Sequence, residues 1–327
     1  MEFRTVGKTG IQVSNLCFGT MSFGGNADAE TSKAMYKRCR EAGINFFDTA
    51  DVYSGGCSEE ILGECIAHER ENIVLTSKVF WNTSRDINAK GLSRKHIMLG
   101  IESSLRRLKT DYIDFYFVHD FDEQTSIEEI LRTLDDLQRQ GKILYPAVSN
   151  WAAWQMTKAL GISAKEQLAR FELIQPMYNL VKRQAEVEIL PMAKSEQIGV
   201  ITYSPLGAGL LTGKYGINKR PEQGRLVEDT RYGDRYDANE NFAVAEQFTD
   251  YAKQYAIKPA TLAVAWVKSN PSVTAPIIGA RNLEQLEDSL AAADFKMSPE
   301  MYAEISRLSR MPAPATDRAE VLTGKWS

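Results

Sequence analysis

Two short runs of alternating apolar and polar residues, 2–6 and 11–14, flank Gly7-Lys8-Thr9-Gly10 and predict a β-hairpin. Beyond the hairpin, the apolar positions switch repeatedly between a period of two and a period of 3.6. Short β-type runs alternate with amphipathic helical patterns: 16–18 then 31–41, 45–47 then 59–68, 73–77 then 95–108, 113–118 then 127–140. The alternation continues with 143–148 then 154–160, 173–175 then 185–194, 200–203 then 242–255, and 273–278 then 283–291. Strands separated by helices pair in parallel through right-handed crossovers, so these eight units in 327 residues predict an α/β chain folded as a (β/α)8 TIM barrel, a single domain over 1–327. Helical patterns at 261–268 and 301–308 exceed the eight and are expected as additions toward the C-terminal end. Pro146 interrupts the fifth β-type run, where it cannot donate to a ladder, so a bulge or a shortened strand is expected there.

In such a barrel, catalytic side chains sit at the C-terminal ends of strands and on the loops that follow. The polar residues there are Gly19-Thr20-Met21, Asp48 with Tyr53, Lys78, His119, Ser149-Asn150, Gln175 and Tyr203-Ser204. Asp48, Lys78 and His119 each break an otherwise apolar run. A lone Lys or Asp buried at a strand end costs several kcal/mol, so an Asp48–Lys78 ion pair across neighbouring strands is expected. An ammonium beside Tyr53 favours the phenolate and is expected to lower the hydroxyl from about 10 toward working pH, which suits a general acid. His119 then shares the substrate oxygen. Taken singly, these residues are a salt bridge, a packed ring and a hydrogen-bonded histidine; their convergence favours chemistry.

Composition narrows the classes. With 43% hydrophobic and 25% charged residues the chain is an ordinary globular protein, and 39 Lys+Arg against 43 Asp+Glu supply no diffuse positive field for nucleic acid. Cys17, Cys39, Cys57 and Cys65 form no C-x-x-C pair, which points to a reducing, cytoplasmic setting. The apolar stretch at 199–211 is broken by Thr202, Ser204 and glycines, so no membrane span is expected. A metal-dependent barrel hydrolase using His119 with Asp48, Asp51 or Asp120 is disfavoured, because His68 and His96 fall in helical patterns; no metal is expected.

The segment Ser204-Pro205-Leu206-Gly207-Ala208-Gly209 through Gly213-Lys214 fits neither a Rossmann nor a Walker glycine pattern. What it allows is a flexible loop whose backbone N–H groups and Lys214 could wrap a pyrophosphate, with Arg225 as a further contact.

Several segments in order resemble the aldo-keto reductases, in the branch that includes bacterial general-stress reductases and potassium-channel β subunits. They are Gly43 to Tyr53 with Ser58-Glu59-Glu60-Ile61-Leu62-Gly63, Ser77-Lys78, Asp111 to His119, Val148-Ser149-Asn150, Gln175 to Asn179, Tyr203 to Tyr215, and Gly279-Ala280-Arg281. The resemblance implies reduction of a small-molecule carbonyl by hydride transfer from NADPH, giving NADP+, with NADH a weaker donor. By it, Tyr53 is the proton donor, Lys78 and Asp48 tune it, and His119 orients the carbonyl. Ser149, Asn150 and Gln175 hold the carboxamide, Tyr203 stacks on the nicotinamide, and the 204–214 loop belts the cofactor. Gly19, Thr20, Met21, Asp48 and Gly279 join the expected cofactor contacts. Arg281, at a helix start that favours an anion, takes the adenosine 2′-phosphate, and Gln285, Asp288 and Ser289 face the adenine. The same branch offers a non-enzymatic alternative, a cofactor-binding regulatory or redox-sensor subunit with very slow turnover.

Two departures from the family pattern stand out, the first bearing on specificity and the second on the placement of Ser149. The run Asp120-Phe121-Asp122-Glu123 makes the substrate-side loop acidic, and Tyr145-Pro146-Ala147 alters the fifth strand just before Ser149. A pocket wall is expected from Phe23, Tyr53, Trp81, Trp151 and residues 225–231. Nothing in the sequence marks an oligomeric state.

Overall fold

The computed structural model describes residues 1–318 and Glu320. Strands β1 (Phe3–Thr5) and β2 (Gln12–Ser14) pair antiparallel with Phe3 opposite Ser14, forming the expected hairpin. The parallel strands are β3 (Cys17–Gly19), β4 (Phe46–Asp48), β5 (Val74–Val79), β6 (Ile113–Val118), β7 (Ile143–Ser149), β8 (Leu173–Gln175), β9 (Gly199–Thr202) and β10 (Ala275–Ile278). They form a closed barrel in chain order, sealed where Ile277 of β10 pairs with Cys17 of β3.

Helices α1 (Ala29–Glu41), α2 (Cys57–Ile66), α3 (Arg94–Leu108), α4 (Ile127–Arg139), α5 (Ala153–Glu166) and α6 (Ile189–Ser195) follow the first six barrel strands. After β9 come α7 (Arg225–Glu228), α8 (Thr230–Tyr236), α9 (Asn239–Gln254) and α10 (Pro259–Lys268), and after β10 come α11 (Leu283–Leu290) and α12 (Pro299–Ser306). Local chemistry sets several starts: Asp28, Ser93, Ser126, Asn282 and Ser298 each accept a backbone N–H from the first turn of the helix they open. Among the described residues no helix is long and apolar enough to cross a membrane.

Side-chain alternation along the strands divides the core in two. One set faces the barrel axis: Cys17, Phe46, Val74, Phe115, Phe117, Ala147, Leu173, Ile201 and Ala275 pack together there, joined by Val6 and Val13 of the hairpin. The hairpin therefore closes the N-terminal end of the barrel, leaving the other end for chemistry. The other set meets the helices in a larger buried cluster.

Two sequence expectations need correction. Pro146 causes neither a bulge nor a short strand: Tyr145, Pro146 and Ala147 pair in continuous register with Phe115, Tyr116 and Phe117. The carbonyl of Pro146 accepts from Glu172 N–H, one residue before β8 begins, so the missing donor falls on the β8 side below the first paired residue, Leu173. The second correction concerns the seventh crossover. The helix lying on the barrel is α10, buried along most of its length and packed on β10 and α11, whereas α9 packs outside it on α10 and the 207–212 turn. The added helix is thus α9, not the one over 261–268.

Helix α2 is brought down onto α3 by Gly63, where a Cβ would lie 2.5 Å from Arg107 O and 2.7 Å from Leu108 C. Gly63→Ala should destabilise the protein by roughly 1–3 kcal/mol despite alanine's better helix propensity, because backbone must move apart. Urea unfolding measures this; an unchanged midpoint would mean that α2 and α3 separate without cost.

Candidate active site

At the open end of the barrel, Asp48 closes β4 and pairs with Thr76, which stands two residues before Lys78 on the same face of β5. Lys78 is fully buried, and its Nζ donates to Asp48 Oδ2 (2.7 Å) and to the Thr49 carbonyl (2.6 Å). Asp48 Oδ1 accepts from Thr76 Oγ1 (2.7 Å) and Gln175 Nε2 (2.9 Å). This is the expected ion pair, completed on both carboxylate oxygens. Burial works against the Lys78 charge, but Asp48 and then Tyr53 outweigh it, and the net shift is upward.

The turn after β4 winds into a 3-10 segment, Tyr53–Gly56, that presents the phenol to Lys78. The Tyr53 hydroxyl lies 3.4 Å from Nζ, and the ammonium also sits 4.9 Å from the ring centre. The expected depression of the Tyr53 pKa is reversed. Burial raises it more than Lys78 lowers it, so the phenol keeps its proton through the neutral range. His119 follows β6 with its ring edge-on to Tyr53, centroids 6.0 Å apart. Burial, and then Lys78, hold it well below the ordinary histidine value, so the imidazole is neutral. Its Nδ1 is enclosed without a partner among the described residues.

Ser149 Oγ donates to the Gln175 carbonyl (3.0 Å), and Asn150 Nδ2 to the His119 carbonyl (3.0 Å). Asn150 Oδ1 accepts from Tyr203 OH (2.8 Å), so these strand ends form one connected rim. Asn150 (φ 60°) and Ser204 (φ 59°) are both left-handed, which puts local backbone strain just past the ends of β7 and β9. Asn179 holds the Ser204 carbonyl at 2.9 Å. Pro205 and Leu206 lead into left-handed Gly207, Ala208 and Gly209, a backbone habit of anion-binding concavities.

Beyond this loop Lys214, Arg225, Arg281 and Glu228 lie close enough to influence one another. Arg281 Nη2 donates to Glu228 Oε2 (2.9 Å), and its backbone N–H donates to Gln285 Oε1 (3.1 Å). The expected phosphate reader is thus held by a carboxylate 53 residues away in sequence. Asp288 lies 3.5 Å from Lys258, and Ser289 is fully buried. Gly19 and Thr20 are buried, Thr20 sharing a hydrogen bond with Ser58, while Met21 and Gly279 are exposed. Phe23 (0% exposed) and Trp151 (2%) pack in the core and cannot line a pocket; Trp81 (46%) can. Among the described residues no three His, Cys, Asp or Glu side chains converge as a metal site.

Thr76, Thr49, Asn179 and the Glu59–Arg107 pair behind the turn, its carboxylate buried and its guanidinium partly exposed, carry no separate signal in the sequence. Thr76 was detectable, since position i−2 on a strand shares the face of Lys78.

The aldo/keto reductase family model matches residues 15–310. A probable voltage-gated potassium channel β subunit of Arabidopsis thaliana is 36% identical over 90% of this chain and 92% of its own length. An uncharacterized oxidoreductase of Bacillus subtilis is 36% identical over 98% of this chain and 99% of its own. A putative voltage-gated potassium channel β subunit of Schizosaccharomyces pombe is 35% identical over 94% and 93%.

Thr76→Val removes one donor to the buried Asp48 carboxylate with little change of shape. Thermal and urea unfolding should show a loss of about 1.5–3 kcal/mol, the worth of a hydrogen bond to a charged group. Stability equal to the parent would show that Lys78 and Gln175 alone satisfy the carboxylate.

Proposed function

The chain belongs to the aldo/keto reductase family, and from that premise we propose that it reduces aldehydes or ketones to alcohols, with NADPH as hydride source and Tyr53 as proton donor. The observation that carries the reading is Lys78: a fully buried ammonium, locked to Asp48, beside a phenol at the open end of a barrel. A structural ion pair has no need of that phenol.

When bound, the reduced nicotinamide supplies a hydride. The chain's own residues do the rest. Tyr53 delivers its proton to the carbonyl oxygen, and Lys78 stabilises the phenolate left behind. Asp48 fixes the Lys78 ammonium against the Tyr53 turn. Neutral His119, edge-on to Tyr53, donates a hydrogen bond through Nε2 and orients the carbonyl, while Trp81 lines the approach.

The residues present suit a dinucleotide. Asn150 is exposed on the rim beside Tyr203, the 207–209 backbone is left-handed, and Lys214, Arg225 and Arg281 gather by one carboxylate, Glu228. In this reading Ser149, Asn150 and Gln175 hold the carboxamide, Tyr203 stacks on the ring, Lys214 and Arg225 take the pyrophosphate, and Arg281 takes the 2′-phosphate. No metal takes part. The buried cysteines Cys17 and Cys39 suit a reducing compartment.

A second reading is favoured by the plant and fission-yeast relatives, whose names are those of potassium-channel β subunits. On it the protein binds the cofactor and turns over very slowly as a regulatory subunit. Stopped-flow mixing with a panel of aldehydes separates the two, since a sensor would bind NADPH and consume almost none.

Tyr53→Phe should lower kcat by about 10²- to 10⁴-fold with cofactor affinity near the parent's. Near-normal turnover in that variant rules Tyr53 out as donor. Arg281→Ala should weaken NADPH binding by about 10- to 150-fold, the equivalent of roughly 1.5–3 kcal/mol, and leave NADH almost unchanged. Fluorescence titration reads both constants, and equal losses would assign Arg281 to loop support. Exhaustive dialysis against EDTA should leave turnover intact; loss restored by added zinc would return the case to a metal enzyme.

A further inference from the structure

Two residues before Tyr53, Asp51 is buried (3% exposed), and neither carboxyl oxygen has a side-chain hydrogen-bond partner among the described residues. Its backbone belongs to the same stitched unit as the active site. Lys78 Nζ donates to Thr49 O (2.6 Å), Asp51 N–H donates to Lys78 O (3.3 Å), and Tyr53 N–H donates to Ala50 O (3.2 Å). Whatever displaces Asp51 therefore displaces the turn that aims the phenol.

The charged and titratable groups around Asp51 are Glu59 of α2, Arg107 of α3, Lys78 of β5 and Tyr116 of β6. Lys78 is committed to Asp48. Glu59, fully buried, accepts from Ser77 Oγ and from Arg107 Nε (2.7 Å), so the one guanidinium is taken as well. The Tyr116 hydroxyl is enclosed and has no partner among the described residues. A carboxylate at Asp51 would be a buried charge beside a second carboxylate, with only the neighbouring Val52 backbone N–H to answer it, which costs several kcal/mol. An un-ionised carboxyl avoids that cost.

We propose that Asp51 is a positioning residue for Tyr53: its uncharged carboxyl fills the buried space behind the Tyr53 turn, and ionisation there shifts the turn and slows the reaction. The inference deepens the assignment of Tyr53 as donor and rests on it for the rate effect alone. Burial, and then Glu59, push the Asp51 carboxyl up to about 8. Burial pushes the Tyr53 hydroxyl upward as well, and the Asp51→Asn variant separates its ionisation from that of Asp51.

The linkage has a definite sign. The folded protein retains at Asp51 a proton that the unfolded chain releases near its ordinary carboxyl value of about 4, so stability falls as pH rises from there and levels off above about 8. Asp51→Asn removes this term and should melt higher than the parent by a margin that widens over that window.

The test follows melting temperature and reductive kcat/KM for a simple aldehyde from roughly pH 5 to 9 in the parent, Asp51→Asn and Tyr53→Phe. The parent should lose kcat/KM with a midpoint near 8 and then by about tenfold per pH unit, as for a single essential proton. Asp51→Asn should stay level, and Tyr53→Phe should keep the parent's pH dependence of melting. A parent-like rate limb in Asp51→Asn overturns the proposal, even if its melting profile flattens, because the carboxyl would then titrate without positioning the donor. Near-normal turnover of Tyr53→Phe instead overturns the donor assignment and leaves the melting arm to report on Asp51. If the asparagine variant does not fold, Asp51→Ser replaces it. In the parent, the infrared carbonyl stretch of an un-ionised buried carboxyl should persist at pH 7, and its absence there contradicts the proposal.

Discussion

A lysine with no exposed surface is tolerable only if its charge is answered in place, and at Lys78 that requirement organises the open end of the barrel. Asp48 answers it from β4, the Thr49 carbonyl from the following turn, while Thr76 and Gln175 hold Asp48 from β5 and β8. Breaking a buried pair by removing one partner costs about 3–5 kcal/mol, because the other charge is left alone. The strands must therefore end in this register for the chain to fold, and the same register brings the Tyr53 hydroxyl within 3.4 Å of the ammonium. The stability requirement and the chemistry share one set of bonds.

The remainder of the barrel keeps that arrangement dry on one side and open on the other. Val6 and Val13 of the hairpin seal the axis at the N-terminal end, and phenylalanines of β4 and β6 fill it beneath the pair. At the opposite end the strand ends are tied to one another through Ser149, Gln175, Asn150 and Tyr203. Left-handed Asn150, Ser204 and Ala208 place backbone strain at this rim and in the loop beyond β9, where Lys214, Arg225 and Arg281 form a cationic group.

Much of this was readable from the chain, for definable reasons. Alternating periods revealed the barrel, and Asp48, Lys78 and His119 stood out because each is a polar residue ending an apolar run. Burial is not written in a sequence, however. The ammonium beside Tyr53 was foreseeable, but its depressing effect on the phenol is outweighed by desolvation that only the packed structure contains. Thr76 does not stand out, because a β-branched residue in a β-type run reads as ordinary strand chemistry. The grip of Glu228, at the end of α7, on Arg281 joins residues 53 apart in the chain and leaves no local trace. Pro146 looked disruptive because a strand was weighed alone, without the neighbour that begins one step later.

The claim that Asp48 and Lys78 act as one unit on Tyr53 is tested most directly by a double-mutant cycle read in single turnovers. Pre-steady-state oxidation of bound NADPH by an aldehyde would be compared in the parent, Asp48→Asn, Lys78→Met and the double variant. The account predicts strong non-additivity, the double variant losing little more than the worse single one, since removing either partner already undoes the shared geometry. Losses that simply multiply would contradict it and make the two residues independent contributors.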